Sequence, residues 1–335
     1  MEKVHSLTVL PMIGERKAIE LIIKQLEKMH KMPIPFGDDV SAWDIGSGKL
    51  VVLKTDMLVA KTDVPLGMTL WQAARKAVVM NISDFAAKGV KPHAILVSLG
   101  LPKKLAEKDI EEIGKGLNAG AREYDAYVIG GDTGEASDLV ISISLFGMAK
   151  KGEVMLRSGA KPGDVVAVTG FFGKTSAGLK ILLGKLEVPE TIRRILAESV
   201  LMPHARLEEG LALSRTGVVT ASIDSSDGLA WSLHEIARTS NAGFIIDKVP
   251  IANEVKRFAK IADLDPGELS LYGGEEYELV LTVKPELWNR AKVAVGKVGG
   301  KLLGIGKVIG RKGVLLKTDA KEIVIEPRGY EHFKT

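Results

Sequence analysis

The chain has 335 residues, 46% of them hydrophobic and 26% charged, so it can bury a large core and is long enough for two domains. Its net charge of +4 is small, its basic residues are scattered and only 5% of its residues are aromatic, which argues against a nucleic-acid surface. It has no cysteine, which excludes disulfides, thiolate zinc sites and a cysteine nucleophile, and no apolar run approaches the ~18 residues that span a bilayer. We therefore expect a cytoplasmic protein that binds neither nucleic acid nor membrane.

The first half of the chain predicts alternating helices and strands. Apolar residues at helical spacing predict a helix from about Glu15 to His30. A second helix runs from Thr69, a suitable N-cap, to Lys88, and Gly89 stops it. A third is predicted from Ala106 to Tyr124. Branched and alternating apolar residues predict four strands, Leu50–Val59, Ala94–Leu101, Tyr127–Ile129 and Leu139–Ala149.

A polar break at Lys150–Glu153 separates the two halves. We place the domain boundary near Lys151 and predict domains at residues 1–150 and 151–335. The second half again alternates strands with helices, which implies mixed α/β layers. Its predicted strands are Val165–Thr169, Thr220–Ile223, Gly243–Ile246 and Glu278–Val283. Its predicted helices are Thr175–Leu183, His204–Arg215 and Leu229–Thr239.

The most informative feature is the placement of seven Asp residues. Asp56 interrupts an apolar strand, and the others lie in loops or beside the ends of predicted elements. A buried carboxylate is costly unless it is paired or bound to a metal, so the set favours a site for Mg²⁺, which prefers oxygen ligands and phosphates. Any single Asp could instead cap a helix or make a turn. The set is Asp38, Asp39, Asp56, Asp84, Asp132, Asp224 and Asp227.

Three glycine-containing runs are candidates for ligand contacts. Gly130–Gly134, at a predicted strand end, and Gly170–Gly173, before a helix, could let backbone amides approach a phosphate. Neither is specific alone, and Gly130–Gly134 is not a Walker loop, because no Gly-Lys-Ser/Thr follows. Gly273–Leu279 places Glu275 beside a tight turn, where it either faces an acceptor or is simply exposed.

Taken in order, these runs resemble the thiamine-monophosphate kinases, a family within the superfamily named for aminoimidazole ribonucleotide synthetase. The resemblance extends over nearly the whole chain, and an ordered series of motifs is far more specific than any one of them. The runs that carry it are Gly37–Asp39, Thr55–Val59, Asn81–Ala87, Gly130–Thr133, Arg157–Ala160, Ile223–Leu229, Gly273–Leu279 and Gly329–Phe333.

The resemblance implies a two-domain PurM-like fold of the α+β or α/β class. The N-terminal α/β domain would form the sheet of a homodimer, and the C-terminal domain would be an α/β sandwich. The implied reaction converts thiamine monophosphate to thiamine diphosphate by direct in-line transfer of the γ-phosphate of ATP, with several Mg²⁺ and no phospho-enzyme. Since the acceptor phosphate is already ionised, no acid or base residue is expected, and positioning and charge neutralisation would provide catalysis.

The resemblance also assigns roles to individual residues. ATP would contact Gly131, Asp132, Arg157 and Ser226. Glu275 and Tyr330 would contact the thiamine phosphate. Asp63 stands where many members have a substrate-contacting His, and it would either face the cationic thiazolium ring or be turned away from it. Alternatively, Val64–Pro65 redirects this loop and leaves Asp63 exposed. Metal ligands would be Asp39, Thr55, Asp56, Asp84, Asp132, Asp224 and Asp227, with Asp56 and Asp132 essential through the metal.

Two other positions depart from the family pattern. Lys54 replaces a common Ser or Thr, where it could neutralise phosphate charge or displace a metal ligand, and Glu276 replaces an Asp. The strand at Leu50–Val59 is apolar on both faces, so we expect it in a homodimer interface. The alternatives are an aminoimidazole ribonucleotide synthetase-like enzyme and a nucleotide-binding protein of the same fold that transfers nothing.

Overall fold

The computed structural model describes residues 14–27, 29–184 and 186–333, and the strands of these residues form two sheets. The strands of the first sheet are β1 (Ser41–Gly46), β2 (Lys49–Val59), β3 (Lys91–Leu101), β4 (Tyr127–Glu135) and β5 (Val140–Lys150). Those of the second are β6 (Val165–Val168), β7 (Val219–Asp224), β8 (Gly243–Ile246), β9 (Leu279–Val283), β10 (Leu303–Ile309), β11 (Gly313–Lys317) and β12 (Glu322–Val324). The helices are α1 (Glu15–Ile23), α2 (Ala60–Asp63), α3 (Leu70–Lys88), α4 (Glu107–Glu123), α5 (Lys174–Leu183), α6 (Glu190–Leu201), α7 (Leu207–Ser214), α8 (Leu229–Ser240), α9 (Asn253–Ala262), α10 (Pro266–Tyr272) and α11 (Trp288–Lys297), with a short 3₁₀ turn at Pro285–Leu287.

The first sheet has the strand order β1-β2-β5-β3-β4. All neighbours in it are antiparallel except β3 and β4, which are parallel. Its inner face is apolar and carries buried side chains such as Ile141, Ile143 and Leu145 of β5. The alternation of these residues with Ser142 and Ser144, predicted to leave one face exposed, is confirmed by the burial of successive residues.

Among the residues that the structure describes, no segment covers the outer face of this sheet. This face carries exposed hydrophobic side chains, and five that are wholly apolar or Trp are between 40% and 58% accessible. The predicted strand Leu50–Val59 is covered on its inner face within the described residues, and cover of its outer face in a homodimer stays a prediction. These five side chains are Trp43, Leu53, Met57, Leu96 and Met148.

Helix α3 lies between the two halves of the molecule and contacts both of them. Thr69 caps it by accepting a hydrogen bond from the Gln72 amide at 3.2 Å, and Gly89 ends it in the left-handed conformation at φ 64°. Its small side chains pack under the first sheet, and its other sides contact α4, α7 and β7. Four charged residues are also buried on it, namely Arg75, Lys76, Asp84 and Lys88.

The second sheet has the order β12-β11-β8-β10-β6-β9-β7. Its edge strand β7 lies against α3, and the neighbouring β9 runs antiparallel to it. This register places Asp224, the last residue of β7, opposite Leu279, the first residue of β9. The loops that follow β7 and precede β9 therefore meet beside the C-terminal half of α3.

Most predicted elements are confirmed to within three residues at each end, and two are wrong. The first helix ends at Ile23 rather than near His30. The fourth strand continues to Glu135, so the glycine run at 130–134 lies within a strand and not at its end. The boundary near Lys151 stays a prediction; it falls between the last strand of the first sheet and the first strand of the second.

Two glycines of α4 provide a matched test of how closely this helix packs on α3. A Cβ on Gly116 would lie 2.2 Å from the Trp71 carbonyl oxygen, whereas a Cβ on Gly114 meets nothing within 4 Å. We expect Gly116→Ala to destabilise the protein by about 1–3 kcal/mol and Gly114→Ala to stabilise it by about 0.5–1 kcal/mol. Urea unfolding of both variants measures this. Equal effects would contradict the packing of α4 on α3.

Candidate functional site

Three buried carboxylates converge where the two halves meet. Asp39 comes from the loop before β1, Asp84 from the last turns of α3 and Asp224 from the end of β7. One oxygen of each lies within 4.8 Å of the others, and the residues are 3–6% exposed. A set of oxygen donors this close together suits a hard divalent cation such as Mg²⁺.

Positively charged side chains hold this cluster together. The Nζ of Lys88 lies 2.7 Å from Asp38 Oδ1 and 2.8 Å from Asp39 Oδ2. It also donates to the Ser222 carbonyl on β7 at 2.7 Å, so one buried ammonium ties together α3, the loop and the second sheet. Lys88 was not among the predicted site residues. The available signal was a charged residue near the end of a helix as rich in small apolar residues as α3.

Arg157 is bound to the same loop. Its guanidinium forms an ion pair with Asp39 and donates to the Gly37 carbonyl at 2.8 Å, while its backbone amide donates to Asp38 Oδ2 at 3.0 Å. In this structure the Arg157 side chain therefore holds the acidic loop in place. Its predicted contact with ATP stays a prediction.

Lys54 and Ser83 complete the contacts of the cluster. The Lys54 Nζ lies 2.8 Å from Asp84 Oδ2, and the Ser83 hydroxyl donates to Asp224 Oδ2 at 2.7 Å. Burial by itself would lower the pKa of Lys54, but the carboxylates of Asp84, Asp56 and Asp39 outweigh it and raise that pKa above its ordinary value. Lys54 is therefore a permanent cation.

Two other carboxyl groups of the set have raised pKa values. Burial, reinforced by the charge of Asp39, raises the pKa of Asp224 to about 6. Burial, reinforced by Asp224 and Glu15, raises the pKa of Asp227 to about 7. A cation bound beside carboxyl groups this crowded would favour their ionised forms and allow both to lose their protons.

The remaining predicted metal ligands are not part of this cluster. Asp56 lies on the inner face of β2, near enough to Lys54 and Asp84 to affect them electrostatically. Thr55 lies on the outer face and donates to the Ile143 carbonyl at 3.1 Å. Asp132 is exposed on edge strand β4 and is three strands away from β2, or about 14 Å.

The register of the sheet also puts Asp132 on the outer face. It pairs with Ser98, which pairs with Ser142, which pairs with the exposed Met57. Directly paired residues point to the same side of a sheet, so Asp132 faces away from α3 and the cluster. Gly131 faces inward, where a Cβ would lie 1.9 Å from the Val97 carbonyl oxygen, so close packing alone requires glycine there.

A cleft of about 410 Å³ joins the cluster to the outer face of the sheet. Its wall includes Asp38, Asp39 and Lys54 at one end and Thr55 and Ser144 at the other. This volume lies within the range of small-molecule sites.

The loop after β7 is held from two sides. The Ser226 carbonyl accepts from the Glu275 amide at 2.7 Å, and the Asp227 carbonyl accepts from the Tyr330 amide at 3.0 Å. Glu275 and Tyr277 both adopt left-handed backbone conformations, with φ of 61° and 52°. Strained residues close together are typical of binding loops. The structure thus brings the predicted ATP contact Ser226 together with the predicted acceptor contacts Glu275 and Tyr330.

Lys76 connects this loop to Asp63. Its buried ammonium lies 2.6 Å from Glu275 Oε1 and donates to the Asp63 carbonyl at 2.9 Å. The Asp63 carboxylate accepts from the Val59 amide at 2.7 Å and so holds the turn from β2 into α2. Asp63 nevertheless lies near the acceptor contact Glu275, since both residues contact Lys76. Burial, reinforced by the charges of Asp63 and Glu275, raises the pKa of Tyr330.

The glycine run at 170–173 is not a phosphate cradle. The Glu276 Oε1 atom accepts from the Gly173 amide at 2.7 Å and from the Thr175 amide at 3.0 Å, so a side chain already caps the start of α5. Burial raises the pKa of Glu276 to about 7. The prediction failed because the distant Glu276 is brought to this helix terminus by the fold.

Comparison with known proteins gives matches over most of the chain. Residues 37–149 match AIR synthase related protein, N-terminal domain, and residues 161–318 match AIR synthase related protein, C-terminal domain. The thiamine-monophosphate kinase of Pyrococcus horikoshii is 38% identical over 322 residues, 96% of each chain. That of Nitrosopumilus maritimus is 36% identical over 284 residues, 85% of this chain and 89% of the relative.

Solved structures agree with these matches. AaThiL complexed with AMPPCP and TMP has a TM-score of 0.84 and 31% identity, over 98% of this chain and 100% of that one. Thiamine monophosphate kinase from Aquifex aeolicus has a TM-score of 0.78 and 30% identity, over 92% and 97%. The predicted resemblance and the two-domain fold are confirmed. The chain belongs to the AIR synthase related family and, within it, to the thiamine-monophosphate kinases.

Proposed function

We propose that this protein transfers the γ-phosphate of ATP to thiamine monophosphate and releases thiamine diphosphate and ADP. The observation that carries the proposal is the convergence of Asp39, Asp84 and Asp224, beside a cleft, in a chain that superposes on a complex with AMPPCP and TMP. The ordered site motifs and the relatives named thiamine-monophosphate kinase support the same reaction.

We propose Mg²⁺ as the cation of the acidic cluster. Asp39, Asp84 and Asp224 would hold it, with Asp56 and Asp227 close by, and the bound ion would neutralise phosphate charge. The raised pKa values of Asp224 and Asp227 support this, because carboxylates this crowded gain most from a divalent cation.

In the proposed reaction an acceptor phosphate oxygen attacks the γ-phosphorus in line. A new P–O bond forms as the bond between the γ-phosphorus and its bridging oxygen breaks, and that oxygen leaves on ADP. No residue needs to remove a proton, since the acceptor oxygen is already ionised at neutral pH. The protein contributes orientation and charge, which account for most catalysis in phosphoryl transfer.

We propose that the acceptor binds beside Glu275 and Tyr330. The Lys76 ammonium, 2.6 Å from Glu275 Oε1, would supply positive charge near an acceptor phosphate, while the acidic side chains around it suit the cationic thiazolium. Asp63 would contribute indirectly. Its carboxylate holds the turn from β2 into α2, and its backbone carbonyl accepts a hydrogen bond from Lys76.

Turnover with a panel of phosphorylated acceptors tests the proposed reaction. We expect ADP release with Mg²⁺–ATP only when thiamine monophosphate is present, with thiamine diphosphate formed in equal amount. Thiamine and the ribonucleotide substrate of aminoimidazole ribonucleotide synthetase are the controls. Turnover of that ribonucleotide, or ADP release without thiamine diphosphate, would refute the proposal.

We also propose a homodimer formed through the outer face of the first sheet. Supporting it are the exposed apolar side chains of that face and the cleft that opens onto it at Thr55. In such a dimer Asp132, which faces away from its own cluster, would serve the site of the other protomer.

Mixing inactive variants tests the dimer and the role of Asp132 together. We expect Asp56→Asn and Asp132→Asn each to lower activity by about 10²–10³-fold with normal melting. Refolded together in equal amounts, they should regain about a quarter of wild-type activity, because half of the dimers then contain one unaltered site. No recovery, or a monomer mass by light scattering, would contradict the shared site.

Magnesium binding should depend on pH. In the metal-free protein Asp224 and Asp227 hold protons to a higher pH than in the unfolded chain, where the pKa is near 3.8, so stability falls as pH rises from about 4 to about 7. Mg²⁺ must displace those protons, so it should raise the Tm by about 3 °C more near pH 7.5 than near pH 5.5. Scanning fluorimetry against a chelator baseline measures this. Equal increments at the two pH values would count against these ligands.

A further inference from the structure

Lys54 and Asp56 are the charged residues of a strand face that is otherwise apolar. Lys54 lies on the inner face of β2, between the buried Val52 and Leu58 in the alternation of that strand. Its side chain is only 20% exposed and ends 2.8 Å from Asp84 Oδ2. Strand β2 therefore places the Lys54 ammonium in contact with the acidic cluster.

The other cations of the cluster have different carboxylate partners. Lys88 contacts Asp38 and Asp39, and Arg157 also pairs with Asp39. Among the residues that the structure describes, Asp84 forms an ion pair with Lys54 alone. Asp224 has no ion pair there, and its oxygens accept from the neutral hydroxyls of Ser83 and Ser226. The Asp84 side of the cluster thus depends on Lys54 for compensation of its charge.

We propose that Lys54 is a built-in cation that does the electrostatic work of one divalent ion beside Asp84. It reduces by one the number of Mg²⁺ ions that the cluster takes up, and it keeps the metal-free cluster folded. This inference rests on the proposed Mg²⁺–ATP function of the site and adds to it a role for Lys54. An ammonium attached to the chain cannot dissociate at low free Mg²⁺, unlike a bound ion.

Lys54→Met tests this, because methionine keeps the length of the side chain and removes its charge. Relative to wild type, we expect its Tm to fall by about 5–10 °C in chelator, since Asp84 is left buried and unpaired. Excess Mg²⁺ should restore most of that loss. Titration with Mn²⁺ alone, followed by electron paramagnetic resonance, should count one more bound ion per protomer than in the wild type.

Two variants serve as controls. Lys54→Arg keeps the charge and should behave as wild type in both measurements. Lys49→Met removes an exposed lysine from the same strand and should change neither. If Lys54→Met does not fold, the double variant Lys54→Met/Asp84→Asn removes both charges and should fold in chelator.

An unchanged Mn²⁺ count, or a Tm deficit that Mg²⁺ does not reduce, would overturn the proposal, and so would failure of the double variant to fold. Neither readout involves turnover. A negative result here therefore leaves the kinase proposal standing, and a failed kinase assay leaves this proposal testable.

Discussion

Mutual repulsion among Asp39, Asp84 and Asp224 is the constraint on which the rest of the site depends. Three carboxyl groups with oxygens within 4.8 Å of one another could not all stay ionised and buried without nearby positive charge. The chain meets this with Lys54, Lys88 and Arg157, each from a different segment. The acidic cluster is therefore complete only where these segments of the two halves pack against each other.

Helix α3 shows how one element serves both purposes. Its small side chains fit under the first sheet, and Gly116 lets α4 approach it closely. The same helix carries Asp84 into the cluster, Lys88 into the adjoining ion pairs and Lys76 toward the predicted acceptor site. Since a rigid, fully packed helix holds these groups, their spacing does not depend on a flexible loop.

The predicted acceptor side is organised differently from the metal side. It is formed by loops, and two residues of one loop, Glu275 and Tyr277, adopt left-handed backbone conformations. The Ser226 carbonyl, which accepts from the Glu275 amide, holds this loop together with the ion pair between Lys76 and Glu275. A substrate that bound here would meet a preorganised polar loop, whereas a cation would meet a rigid cluster.

The sequence by itself determined the family, the main helices and strands, and the identity of the acidic residues. Local signals were sufficient for these features. Thr69 and Gly89 mark the two ends of α3, and the alternation of apolar and polar residues defines β5. Capping and side-chain periodicity each act over only a few residues. Only the tertiary structure decided which acids meet. It joined Asp39, Asp84 and Asp224, placed Asp132 on the opposite face of the sheet, brought Glu276 to the start of α5, and seated Lys54 against Asp84. Each of these results depends on strand register or on contacts between residues far apart in the chain, and no short-range pattern encodes either of them.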